Sequence, residues 1–212
     1  MTSIRSIAIR VIAVLLAFTI HEASHALASY ILGDYTIRTR GRLTLNPMAH
    51  IDPIGLLCLL VFGFGWGKPV QVDPRYYKDQ KGGMVWTAFA GPFSNFVLAF
   101  ICIFLYYLIY RISFTFAYST IGTFICDTLA QTAYISVGLG IFNCIPIPPL
   151  DGSKILLAFL PDDTYFRTIE GSPITSIIFM ALLFSGIISS PILTLETNMI
   201  TLFSNIIGGI LF

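Results

Sequence analysis

The chain reads as long apolar runs separated by short polar stretches. Residues 4–32 form the first run, and Gly33-Asp34 ends it with a glycine followed by a turn-forming polar residue. The run continues past His25, with no A-x-A cleavage site after a short core, so it reads as a retained membrane span rather than a signal peptide. In residues 35–45, Tyr35, Ile37 and Thr39 alternate with Arg38 and Arg40 around Gly41, ahead of Asn46-Pro47. That pattern predicts a short β-hairpin at the membrane surface. The glycine-rich piece PIGLLCLLVFGFGWG at 53–67 is too short for a comfortable span and suits a re-entrant or membrane-surface segment.

A polar loop at 68–83 leads into a second long span, 84–110. Residues 112–126 are apolar but rich in Ser and Thr, which fits a surface helix or loop on the far side. The third span, 130–149, runs into NCIPIPPLDGSK. A second polar stretch at 161–171 precedes two further apolar runs, 173–193 and 197–212.

Composition supports the membrane reading. The chain of 212 residues is 56% hydrophobic and 11% charged, with a mean hydropathy of +0.82, whereas about a quarter of an ordinary soluble domain is charged. The expected fold is an all-α polytopic membrane protein with about five to six transmembrane helices of roughly 20 residues each. It is read as one membrane domain: residues 1–155 form a core, and 156–212 add a cytoplasmic loop and two further spans.

A net charge of +1, with no basic cluster interleaved with aromatics, argues against nucleic acid as a partner. Cys58, Cys102, Cys126 and Cys144 lack CxxC spacing and read as buried small hydrophobes. If 53–67 does not cross, residues 34–83 lie on one side. That side holds Arg38, Arg40, Arg42, Lys68, Arg75, Lys78 and Lys81, seven of the twelve basic residues, and the positive-inside rule makes it cytoplasmic. The third span then ends on the same side, which brings His25 and Asp151 toward one face of a multi-pass cell-membrane protein.

The first span contains AFTIHEASHALAS. His21 and His25 are four apart, so a helix stacks both imidazoles on one face, with Glu22 projecting beside them. This is the HExxH spacing, in which two His bind zinc and the Glu serves as general base. An ionisable group inside a span costs about 2.5–3.5 kcal/mol on insertion scales, so three within five residues need a compensating partner, and a divalent metal supplies one.

A catalytic zinc usually takes three protein ligands. The remaining candidates in or beside apolar runs are chiefly His50, Asp127, Asp151 and Lys154. Asp151 stands out because Pro146, Pro148 and Pro149 interrupt the helix before it. Irregular backbone at membrane depth requires protein or a water-filled cavity around it. Asp151 could instead cap the helix GSKILLAFL, but the HExxH favours ligation. His50 reads as a loop histidine bonded within the HIDP turn.

HEASH at 21–25 together with NxxPxPPLDG at 143–152 resembles the site-2 protease family of intramembrane zinc metalloproteases. LNPMAHIDPIG at 45–55, GWGKPVQV at 65–72 and GPFSN at 91–95 are similar to stretches of its compact prokaryotic members. The resemblance implies that one zinc ion is held by His21, His25 and Asp151, and that Glu22 is the catalytic base. It makes Asn143 and Asn95 candidates for positioning substrate or stabilising the transition state, although each could simply bond between helices.

The implied activity is regulated intramembrane proteolysis of a transmembrane protein substrate within the lipid bilayer. The family's PDZ insertion, its nucleotide-sensing module and a span preceding HExxH are not expected here, and Ser24 stands where glycine is common. The rival class is a metal or proton transporter, or a substrate-binding pseudoprotease. Transport is disfavoured by the lack of inverted halves and by a ligand set near one face.

Overall fold

The computed structural model describes residues 3–62, 66–164, 181, 185–186 and 189–211, and these are mostly helical. Ser3 starts α1 (Ile4–Ile31) by accepting the Ser6 amide on its hydroxyl. The helix ends at Gly33, which adopts φ +115°, and a Cβ there would stand 2.8 Å from the Tyr76 carbonyl oxygen. Only glycine meets both demands without strain.

The expected hairpin at 35–45 does not form. Among the described residues there is no strand, and one isolated bridge joins Ile51 to Gly67. The reason is the buried Asp34. Its Oδ1 accepts the Thr36 amide (3.1 Å) and hydroxyl (2.6 Å), which turns the chain into the helical turn α2 (Thr36–Thr39). Local capping of this kind competes with ladder pairing. The arginines of this stretch then serve as cross-links: Arg40 donates to the Gln71 carbonyl (2.9 Å) and Arg42 to the Pro69 carbonyl (3.0 Å). Together they hold an extended segment, 66–73, against the loop.

α3 (Pro53–Phe62) begins where Asp52 accepts the Ile54 and Gly55 amides. Its ten residues extend about 15 Å, half of a hydrocarbon core. α4 (Gln80–Ile112) is capped by Asp79 and runs through Pro92. Residues 112–126 are shared between a short helix with exposed aromatics and the start of the third long helix. Ser113 caps the short α5 (Phe114–Ala117), and Ser119 caps α6 (Thr120–Asn143), so the third long helix starts ten residues before the expected 130. The Ser and Thr content that suggested a loop reflects these caps.

α6 stops at Asn143 rather than 149, and an irregular stretch leads to α7 (Asp151–Leu156). Prolines cannot donate the amides that a continuing helix needs. α8 (Ser189–Leu211) is unbroken across 194–196, where a boundary between two spans was expected. Thr194 and Thr197 return their hydroxyls to the carbonyls of Ser190 and Leu193, which keeps those polar groups inside the helix. The rest of the 173–193 run lies mostly outside the described residues.

α1, α4 and α6 are each long and apolar enough to cross a membrane. They pack against one another, and α8 lies on α4 and α6. Small buried side chains, Ala99, Cys102, Ala133 and Val137, allow the close approach that helix association in lipid relies on. Cys102 and Cys126 are buried as expected, whereas Cys144 is exposed at the end of α6 and Cys58 is half-buried.

Candidate metal centre

His21 and His25 are buried on the face of α1 that meets α4 and α6. Their Nε2 atoms lie 3.0 Å apart, and Oδ2 of Asp151 is 3.2 Å from the first and 3.0 Å from the second. Among the described residues this is the one His/Cys/Asp/Glu group able to hold a metal.

The donor set fits a zinc ion. Bonds of about 2.0–2.1 Å in a tetrahedral site give ligand-to-ligand edges of about 3.3–3.4 Å, and the three observed edges fall within about 0.4 Å of that. The chemistry points the same way. Two ring nitrogens and a carboxylate oxygen converge on one point, so their lone pairs repel unless a cation or proton lies between them.

The surroundings hold each of these side chains in place. His25 Nδ1 donates to the Thr87 carbonyl at 2.7 Å, which leaves Nε2 with its lone pair facing the shared point. Thr87 belongs to α4, as do Gly91 and Asn95 one and two turns on, and this stripe faces the two histidines. Nδ1 of His21 is 3.2 Å from the carboxamide of Asn95, which is completely buried. A Cβ on Gly91 would stand 2.4 Å from His25 Nε2 and 2.7 Å from His21 Cε1, so the absence of a side chain there is what admits the imidazoles.

Asp151 opens α7, and Lys154 donates to its Oδ1 at 3.1 Å, leaving Oδ2 toward the histidines. Gly152 permits the tight turn: a Cβ there would meet the Cys144 carbonyl oxygen at 2.3 Å.

Glu22 sits beside the group on the wall of a cavity of about 440 Å³. Its Oε2 accepts the Val70 amide at 2.8 Å, which ties the carboxylate to the extended segment. Trp66, Val70, Val72 and Asn143 also line this cavity. Asn143 uses its amide to donate to the Leu139 carbonyl at 3.0 Å.

The structure therefore brings His21, Glu22, His25, Asp151 and Asn143 to one cavity and sets Asn95 behind His21. His50 is elsewhere, with Nε2 at 2.8 Å from the Thr44 carbonyl in its own loop. Asp127 pairs with Arg5 at 2.6 Å. Thr87, Gly91, Val70 and Gly152 were not singled out from the sequence, and Lys154, named there as a candidate, instead donates to Asp151. Gly91 and Gly152 stood within quoted motifs, whereas Thr87 and Val70 act through backbone atoms that any residue type carries.

A membrane helix carrying HExxH, a carboxylate from a second element and a glutamate on the shared wall define a peptidase-type metal centre. Comparison with known proteins gives the family. The profile of Peptidase family M50 matches residues 112–189. YwhC of Bacillus subtilis (strain 168) is 36% identical over 172 residues, which cover 81% of this chain and 78% of YwhC. Rip2 of Mycolicibacterium smegmatis is 30% identical over 156 residues, or 71% of this chain and 56% of Rip2. Rip2 of Mycobacterium tuberculosis (strain H37Rv) is 27% identical over 176 residues, or 80% of this chain and 64% of that protein. Each of these carries the name "Putative zinc metalloprotease". No solved structure matches the chain. The chain belongs to peptidase family M50, and with its apolar helices it is a membrane protein.

Proposed function

We propose that this chain is a zinc-dependent intramembrane endopeptidase that hydrolyses peptide bonds in or near the transmembrane segments of other membrane proteins. The observation that carries the reading is the convergence of His21 Nε2, His25 Nε2 and Asp151 Oδ2 beside Glu22 on one cavity wall. His21, His25 and Asp151 are the metal ligands. Zinc, when bound, supplies Lewis acidity toward a water molecule and the scissile carbonyl.

Glu22 is the general base. The Val70 amide holds Oε2 and fixes the carboxylate, while Oε1 remains to take a proton from the attacking water and return it to the leaving amine. Asn143, on the same wall, keeps one amide hydrogen beyond its bond to Leu139 and can direct it at the developing oxyanion.

A helical substrate hides its amides in its own hydrogen bonds, so it has to unwind before cleavage. With no hairpin at 35–45, the extended segment 66–73 is the edge available for an unwound peptide to add as a strand. The chain is multi-pass, with 34–83 on the cytoplasmic side by its basic residues, so the centre works from the cytoplasmic face. The same ligands in a transporter would move zinc without cutting peptide.

The experiment is zinc content with proteolysis of a single-span test substrate in lipid. Wild type binds about one zinc and cuts, while Glu22→Gln keeps the zinc and loses cleavage by about 10²–10⁴-fold. Cleavage surviving in Glu22→Gln, or a wild type that binds zinc without cutting, overturns the reading.

A further inference from the structure

We infer that Asn95 is a positioning residue for the zinc ligand His21, not a contact for substrate, and that it acts by accepting the His21 Nδ1 proton on its side-chain oxygen. The inference rests on the reading of His21, His25 and Asp151 as metal ligands.

Three observations carry it. The first is location: Asn95 is completely buried on α4, with its carboxamide 3.2 Å from His21 Nδ1, the ring nitrogen turned away from the ligand group. A substrate in the cavity meets His21 before it could reach Asn95. The second is that His21 Nδ1 is the contact of this amide among the described residues: its other end is buried with no hydrogen-bond partner. Either orientation leaves that other end unpaired, at a comparable cost, so the pairing with His21 decides between them. The two ends of a carboxamide have nearly the same shape, and the hydrogen-bond network decides which is which.

With the nitrogen toward His21, Nδ1 accepts and the ring proton is forced onto Nε2, the atom that converges with His25 and Asp151. With the oxygen toward His21, Nδ1–H donates to Oδ1 and Nε2 is bare, with its lone pair toward His25 and Asp151. The third observation is the neighbouring turn, where His25 Nδ1 donates to the Thr87 carbonyl at 2.7 Å and is fixed in that same tautomer. α4 thus presents two acceptors, eight residues apart, to two imidazoles four residues apart on α1. Gly91 between them leaves room for both rings. Asn95 does for His21 through a side chain what Thr87 does for His25 through its backbone.

The test uses the full chain in detergent or lipid and reads zinc affinity by chelator competition, with the absorption of the Co²⁺-substituted protein as a report on coordination. Asn95→Leu, which fills the volume without accepting, weakens zinc by about 10–100-fold. Asn95→Asp, whose ionised carboxylate accepts and cannot donate, binds zinc as tightly as wild type or tighter, with an unchanged Co²⁺ spectrum. A role as donor predicts the reverse for Asn95→Asp, and that result overturns the proposal even if Asn95→Leu fails to fold. Unchanged zinc affinity in Asn95→Leu together with a raised KM also overturns it, by making Asn95 a substrate contact. Failure of the metal reading is separable: it appears as wild-type zinc binding that Asp151→Asn does not weaken.

Discussion

Gly91→Ala sets two consequences of one methyl group against each other. In a helix interior, alanine is favoured over glycine by about 1 kcal/mol, so α4 alone would gain from the change. At this position the new Cβ would lie 2.4 Å from His25 Nε2, 2.5 Å from His25 Cε1 and 2.7 Å from His21 Cε1. Carbon atoms pack at about 3.5–4.0 Å, so roughly 1 Å of overlap has to be relieved. The His25 ring cannot swing aside while its Nδ1 holds the Thr87 carbonyl at 2.7 Å. Either that bond breaks or α4 retreats, and both disturb the convergence of His21, His25 and Asp151.

Overpacking of this kind costs about 1–3 kcal/mol, and a displacement near 1 Å at a reacting centre costs on the order of 10²-fold in rate. The expected variant keeps its helical content, binds zinc more weakly and cleaves about 10²-fold more slowly. Chelator competition and turnover of a single-span substrate measure the two losses. Gly208→Ala on α8, where no atom stands within 4 Å of the new methyl, is the control and leaves both unchanged. Zinc affinity and turnover at wild-type level in Gly91→Ala would refute the argument that α4 approaches the histidines through that glycine.

Arg42→Gln removes the bond to the Pro69 carbonyl that flanks Val70. The segment holding Glu22 then loosens, so cleavage falls roughly fivefold for a loss of about 1 kcal/mol while zinc binding is untouched; a loss of zinc instead would show that the loop supports the ligands themselves. The hydrogen bond from the Arg75 side chain holds the Asp73 carboxyl below its usual range. That contribution to stability is present above the unfolded carboxylate pKa and is lost as pH falls through the lowered one. Arg75→Gln therefore moves acid unfolding, followed by tryptophan fluorescence, to higher pH, and by a small amount because Arg75 is exposed.

What could be read from the sequence was set by how unusual each residue is in its context. His21, Glu22 and His25 were legible because ionisable side chains in an apolar helix need a partner, and Asp151 because prolines exposed the backbone before it. The hairpin failed because the alternation at 35–40 carries no record of Asp34 folding back onto Thr36, a contact that outweighs a weak strand pattern. The late start expected for α6 came from reading Ser113 and Ser119 as loop formers when they are caps. Asn95 was noticed, but a motif does not say which way a side chain faces. Its place behind His21 depends on the rotation of α4 about its axis, which packing decides. Thr87 left no trace at all, since its carbonyl is common to every residue.

The division of work among the helices follows from what each donor requires. Two imidazoles stacked one turn apart need an unbroken helix, and α1 supplies one through both positions. The third donor comes from a separate element, α7, whose backbone has left the path of α6 before it reaches the two imidazoles. Pro146, Pro148 and Pro149 end the helical path, and Gly152 lets the turn close against the Cys144 carbonyl.

Each ionisable group brought into this apolar setting costs about 2.5–3.5 kcal/mol unless it is partnered. The partners are specific: Thr87 for His25, the Asn95 carboxamide for His21, the Val70 amide for Glu22 and Lys154 for one oxygen of Asp151. Those of the histidines and Asp151 engage atoms other than the three that converge. The atoms left aimed at a common point are two ring nitrogens and one carboxylate oxygen, which together can be satisfied only by a cation or a shared proton. The polar groups of the bundle are arranged so that the metal is the last partner required, and Glu22 stands beside it with one oxygen held and one available.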